Sequence, residues 1–210
     1  MKKLVVLFLL LPCFAAGQDS LLTIKVHFLY GSKPAKGHRK TETRWFGGMH
    51  GGHVTLQMGD SVIGFNPFFK YHIFPHKKKK SSAWVLQTHD EFVRDTFKHK
   101  YTSVEIPVTE AQYLQLKMTA NGYLEKTPYD YAFLGMRCAA ATYDLLAQIG
   151  VVKEYSKFRN VFSNFYPKLL RKKIFNLTLE NNYKITFHNG THTRKWEKDK
   201  RRYRKKLKLE

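Results

Sequence analysis

The side chains best suited to covalent chemistry are a thiol and an imidazole. Of two cysteines, Cys13 lies in an apolar N-terminal run and Cys138 opens the segment CAAATYDLLAQI. Cys138, Ala141, Thr142, Leu145, Leu146 and Ile149 recur at three- and four-residue spacing, which predicts a helix over 138–149 with one apolar face. Gly150 stops it. In the first turn of a helix, free N–H groups and the backbone dipole favour a thiolate. Arg137 adds positive potential, and the Cys138 N–H is available to an oxyanion.

Thiol catalysis also needs a base and a group that orients the base. His53 opens a period-two run, His53 to Met58 (HVTLQM), followed by Gly59-Asp60 and a second run, Ser61 to Asn66 (SVIGFN). The pattern predicts a hairpin with a two-residue turn, its return strand ended by Pro67. Counting back from a Met58–Ser61 rung sets Gln57 against Val62, Leu56 against Ile63, Thr55 against Gly64, Val54 against Phe65 and His53 against Asn66. Opposed side chains share a face, so Asn66 is the expected orienting partner of His53. A metal site at His50 and His53, with His38 nearby, is disfavoured by loose spacing and the lack of a neighbouring carboxylate or cysteine. No cofactor is expected.

Further elements must carry these residues. Strands are predicted at 21–30 (LLTIKVHFLY), 83–88 (AWVLQT), 101–108 (YTSVEIPV) and 183–187 (YKITF). Thr109 is the expected cap of a helix from Glu110 that ends at Asn121-Gly122. Residues 155–170 are aromatic without a clear period. Lys77 to Lys80 reads as an exposed loop tip, and the glycine-dense 44–52 as a loop.

Three segments, GHVTLQMGDSVIGFNP, IPVTEAQYLQL and YDYAFLGMRCAAATYDLLAQIG, resemble the circularly permuted branch of the NlpC/P60 papain-like cysteine hydrolases. In that branch a G-H-V strand precedes a Tyr-containing segment that opens the cysteine helix. The resemblance spans roughly 51–150. It implies an α+β fold with a central antiparallel sheet packed against the Cys-bearing helix. It also implies Cys138 as nucleophile, His53 as base and a polar third residue matching Asn66. Members cleave amide or ester bonds, often in cell-wall peptides or lipidated substrates. Arg137 stands where the branch usually has Asn, and Gly64-Phe65-Asn66 occupies a stretch that often carries Glu.

Organisation and charge give the setting. Lys2 and Lys3, the apolar run Leu4 to Phe14 and Ala15-Ala16-Gly17 form a secretory signal over 1–17, with Gln18 as the new N-terminus. Pro12 before Cys13 argues against lipidation. The expected domain covers 18–190, and a basic tail 191–210. Export leaves Cys138 as the single thiol, with no internal disulfide. The MKK-type start points to a bacterial protein of the periplasm or exterior. A formal net charge of +21 favours anionic partners, and no nucleic-acid-binding signature accompanies it. The expected function is therefore an exported thiol hydrolase acting on a peptide or lipid-like envelope substrate, peptidoglycan peptide first among them. One alternative is a non-catalytic basic module on an anionic envelope surface. Another is an acyltransferase of the same superfamily, although Ala139-Ala140 replace the Glu-His that follow the cysteine in lecithin:retinol acyltransferase relatives.

Overall fold

Alternation of apolar and polar residues builds most of a single sheet. The computed structural model describes residues 21–31, 34–38, 40–42, 52–68, 72–78 and 80–193. The signal segment, most of the glycine-dense stretch with His50, and the chain beyond 193 lie outside the described residues. Strands β1 (Leu22–Tyr30), β2 (Gly52–Met58), β3 (Ser61–Pro67), β4 (Ser82–Thr88), β5 (Tyr101–Val108) and β6 (Lys184–His188) form a six-stranded antiparallel sheet in the order β4-β3-β2-β1-β5-β6. The fold is α+β and, among the described residues, has five helices: α1 (His89–Thr96), α2 (Glu110–Glu125), α3 (Cys138–Gln148), α4 (Lys157–Ser163) and α5 (Pro167–Asn181).

The two faces of the sheet differ because side chains alternate along each strand. Val26 and Phe28 of β1, Val54 and Leu56 of β2, Ile63 and Phe65 of β3, and Val104 and Ile106 of β5 point to one face. There they form the main core with α2, α3 and α5. Leu29, Val62 and Tyr101 point to the other face, where Phe92 of α1 joins them in a smaller cluster. That second face is largely polar. His27 is bonded there to Ser103 Oγ through Nδ1 (2.8 Å) and to Gln57 Oε1 through Nε2 (2.9 Å), and its ring stacks on Phe92.

Local chemistry explains the element ends. The hairpin turn is Gly59-Asp60, with Gly59 in the left-handed region (φ 58), and the rungs run from Met58–Ser61 to Thr55–Gly64 as expected. Thr109 caps α2 in a reciprocal pair with Gln112. The helix does not end at Asn121-Gly122. It runs on to Glu125, and the Lys126 N–H still reaches Gly122 O. Thr127, preceding Pro128, is the residue that resists a further turn. Helix α1 fills a gap between strand patterns; its signal is the capping box of Thr88 and Glu91. The aromatic stretch after 155 divides into α4 and α5, because Pro167 suits the first turn of a new helix.

Helix α3 is buried on more than the expected stripe. Ala139, Ala140 and Tyr143 are buried along with Cys138, Ala141, Thr142, Leu145 and Leu146. It is enclosed by the sheet, α2, α4 and α5, and small alanines let those neighbours approach. Gly150, at φ 71, ends it. Residues 191–193 belong with the domain rather than the tail. The His192 N–H donates to Lys98 O, and the Thr193 N–H to Glu42 Oε1. Among the described residues no helix is long and apolar enough to cross a membrane.

Candidate active site

Cys138 occupies the first position of α3 after Arg137 as N-cap. Its side chain is buried, 3% exposed. Burial pushes the thiol pKa up. The Val54 N–H, the Tyr131 hydroxyl, the Arg137 charge and the Ala139 N–H act in the opposite direction without reversing the shift. Val54, Tyr131 and Ala139 thus lie near the sulfur.

The nearness of the Val54 N–H indicates where the sulfur lies. A strand N–H lies in the plane of its sheet. The β1 edge of β2 is paired down to Gly52, opposite Tyr30. The β3 edge is paired only as far as Thr55–Gly64, while β3 continues along β4 to Pro67. The thiol thus sits where β2 and β3 part, approaching from the face that α3 covers.

His53 is the next residue along β2 and pairs with Leu29 of β1. The pleat sends its ring to the opposite face, with Leu29, Val62 and Phe92. The expected His53–Asn66 rung is not formed, because β2 and β3 pair only as far as Thr55–Gly64, but both side chains line the space beside Gly64. A Cβ on Gly64 would stand 3.1 Å from His53 Nε2 and 3.9 Å from Asn66 Nδ2. These residues, with Thr55, line a cavity of about 80 Å³. That is far below the several hundred Å³ of a drug-sized pocket. Asn66 Oδ1 is buried with no hydrogen-bond partner among the described residues, which leaves an acceptor beside the imidazole. Burial lowers the His53 pKa to about 3. His53 and Asn66 thus lie on the α1 face, whereas Cys138 belongs to the core on the α3 face and is not among the residues lining the His53 cavity; neither side chain is among the groups that shift the other's pKa.

Arg137 does not point at the thiol. Its guanidinium donates to Phe165 O and lies 3.3 Å from the centroid of the Phe165 ring, with Tyr166 and Phe133 alongside. Arg137 therefore anchors the stretch between α4 and α5 and reaches the sulfur only through its field. Of the histidines weighed for a metal, His38 is exposed and 4.0 Å from Glu42, while His53 is buried. Among the described residues no three ligating side chains cluster. The contributions of Tyr131 and Val54 were not foreseen. Tyr131 had a signal in the Tyr129-Asp130-Tyr131 run, whereas a backbone N–H has none.

Compared with family models, with curated proteins and with solved structures, the chain finds no match.

Proposed function

We propose that this protein is an exported hydrolase of papain-like, circularly permuted type, with Cys138 as nucleophile, His53 as base and Asn66 as the group that orients the base. The observation that carries the reading is the placement of Cys138 at the first position of α3 near Val54, the residue that follows His53 in β2.

Burial favours the neutral form of both partners, raising the thiol and lowering the imidazole. The resting pair at neutral pH is thiol and imidazole, not thiolate and imidazolium. In this reading attack on a carbonyl carbon passes the thiol proton to the imidazole as the S–C bond forms, which requires the two side chains, resting on opposite faces of the sheet, to be brought together at the strand end. Donors that lie near the sulfur stand beside the developing oxyanion. The protonated imidazole gives its proton to the leaving amine or alcohol, and water releases the acyl group by the same route in reverse.

Positive charge on the chain suits a substrate in an anionic envelope, with peptidoglycan stem peptide the first choice. Incubation of the mature protein with peptidoglycan fragments, followed by mass spectrometry, tests this. New stem-peptide termini that vanish in Cys138→Ala are expected. Intact fragments after long incubation would count against the substrate class. Acyl transfer would use the same steps with a different final acceptor. The depth of the thiol and the small cavity favour one competing reading, a non-catalytic basic module on an anionic surface. Its mark would be binding that collapses with salt and is indifferent to Cys138.

A further inference from the structure

A second constellation lies on the 72–81 loop, apart from the thiol. Asp130 is buried, 1% exposed, and accepts four hydrogen bonds. The donors are His72 Nδ1 (2.5 Å), the His76 N–H (2.9 Å), the Ser81 N–H (2.9 Å) and Ser82 Oγ (3.2 Å). Burial works to raise the Asp130 pKa, but the bonds from His72, His76 and Ser81 outweigh it and hold the carboxyl below its ordinary value. An ionised carboxylate only accepts, so His72 Nδ1 carries a proton, and in the neutral imidazole Nε2 then presents its lone pair. Ser81 Oγ stands 3.3 Å from that Nε2, and toward the neutral ring the serine hydroxyl is the donor. The chain is hydroxyl, imidazole, carboxylate, in the order and orientation of a nucleophilic relay. A nucleophile–base distance of this length is usual before a substrate is bound.

The surroundings suggest what could be attacked. His72 and Ser81 are partly accessible. Lys77 and Lys78, on the same loop, are exposed cations. Ile73 and Phe74 are 63% and 66% exposed, beside Phe133 and Leu134, whose N–H groups bond to His72 O and Ile73 O. Exposed apolar and cationic side chains thus belong to the same loop as the hydroxyl.

We infer that Ser81, His72 and Asp130 form a second acyl-accepting site, directed at acyl esters whose alcohol portion is anionic. Ser81 Oγ bonds to the ester carbonyl carbon while its proton passes to His72 Nε2. The ester C–O bond then breaks, and the departing alcohol takes that proton. Water attacks the acyl-serine in the same way, giving the carboxylic acid and restoring Ser81. Ile73 and Phe74 receive the acyl chain, and the lysines attract the anionic end.

The test treats the mature protein with a fluorophosphonate, which phosphonylates activated serines, and maps the adduct by peptide mass spectrometry. Labelling of Ser81 is expected in the folded protein, at least ten times faster than in protein unfolded in urea. It is expected to disappear in Ser81→Ala and to fall at least tenfold in His72→Gln. Because the loop is tied through Asp130, circular dichroism of both variants verifies folding. Labelling no faster than in urea, or labelling undiminished in a folded His72→Gln, overturns the inference. Neither result bears on Cys138, since the adduct is assigned to a serine peptide.

Discussion

Gly64→Ala is the most economical perturbation of the proposed dyad, because it adds one methyl group where the imidazole rests. The new Cβ would meet Thr55 Cγ2 at 3.0 Å and His53 Nε2 at 3.1 Å. Ordinary carbon contacts begin at about 3.5 Å, so the ring or the strand must yield by a few tenths of an ångström. Gly64 lies in regular strand, so alanine is not strained by its backbone. Overpacking costs about 1–3 kcal/mol, and reduced freedom of the unfolded chain returns about 0.4–1 kcal/mol. The net loss is about 1 kcal/mol, or about 2–4 °C in Tm for a chain of this size. The effect on chemistry is larger in proportion. A displacement of about 1 Å costs about 100-fold in rate, so a smaller shift predicts about a tenfold loss. The assay is acetylation of Cys138 by p-nitrophenyl acetate, followed by mass spectrometry of the Cys138 peptide, with Tm measured on the same sample. A variant that acetylates at the wild-type rate, with Tm lowered as calculated, would refute the placement of His53 in the chemistry.

Three other outcomes follow from the same structure. His27 and His53 are each lowered by burial to about 3, so in the window between about 3 and the unfolded value near 6.5 the unfolded chain binds more protons. Stability is full above that window and falls as pH decreases through it, by up to about 1.4 kcal/mol per pH unit for each histidine. Urea unfolding at pH 7.5 and 5.0 should show the drop, with a shallower slope in His27→Gln; equal stabilities would contradict it. Asn66→Ala should slow Cys138 acetylation by about 10- to 100-fold through loss of imidazole orientation, with Tm nearly unchanged. Asp130→Ala leaves four donors without their acceptor and should cost about 3–5 kcal/mol, seen as a large fall in Tm and early proteolysis within 72–81.

The sequence made the sheet legible wherever one face is apolar and the other polar. The register of the β2–β3 hairpin followed from a two-residue turn, and the helix of Cys138 from its spacing. It was less informative where burial is two-sided. All of β2 is buried, so strand pairing could set His53 beside Asn66 but not the face on which the thiol would arrive. Pairing rules likewise give no sign that β2 and β3 separate after Thr55–Gly64. Asp130, His72 and Ser81 were not legible as a group, because residues 49 and 58 positions apart meet only through loops. Helix α1 had a readable capping box, but its polar, half-exposed surface obscured the period.

The central claim is that His53 acts as the base for Cys138. Its most direct test compares acetylation of Cys138 by p-nitrophenyl acetate at pH 7 in the wild type and in a folded His53→Ala variant, reading the thioester on the Cys138 peptide. General-base assistance of the usual size predicts a wild-type rate about 100 to 10,000 times higher. Equal rates, or no thioester in either protein, would contradict the account and leave Cys138 as a buried core residue.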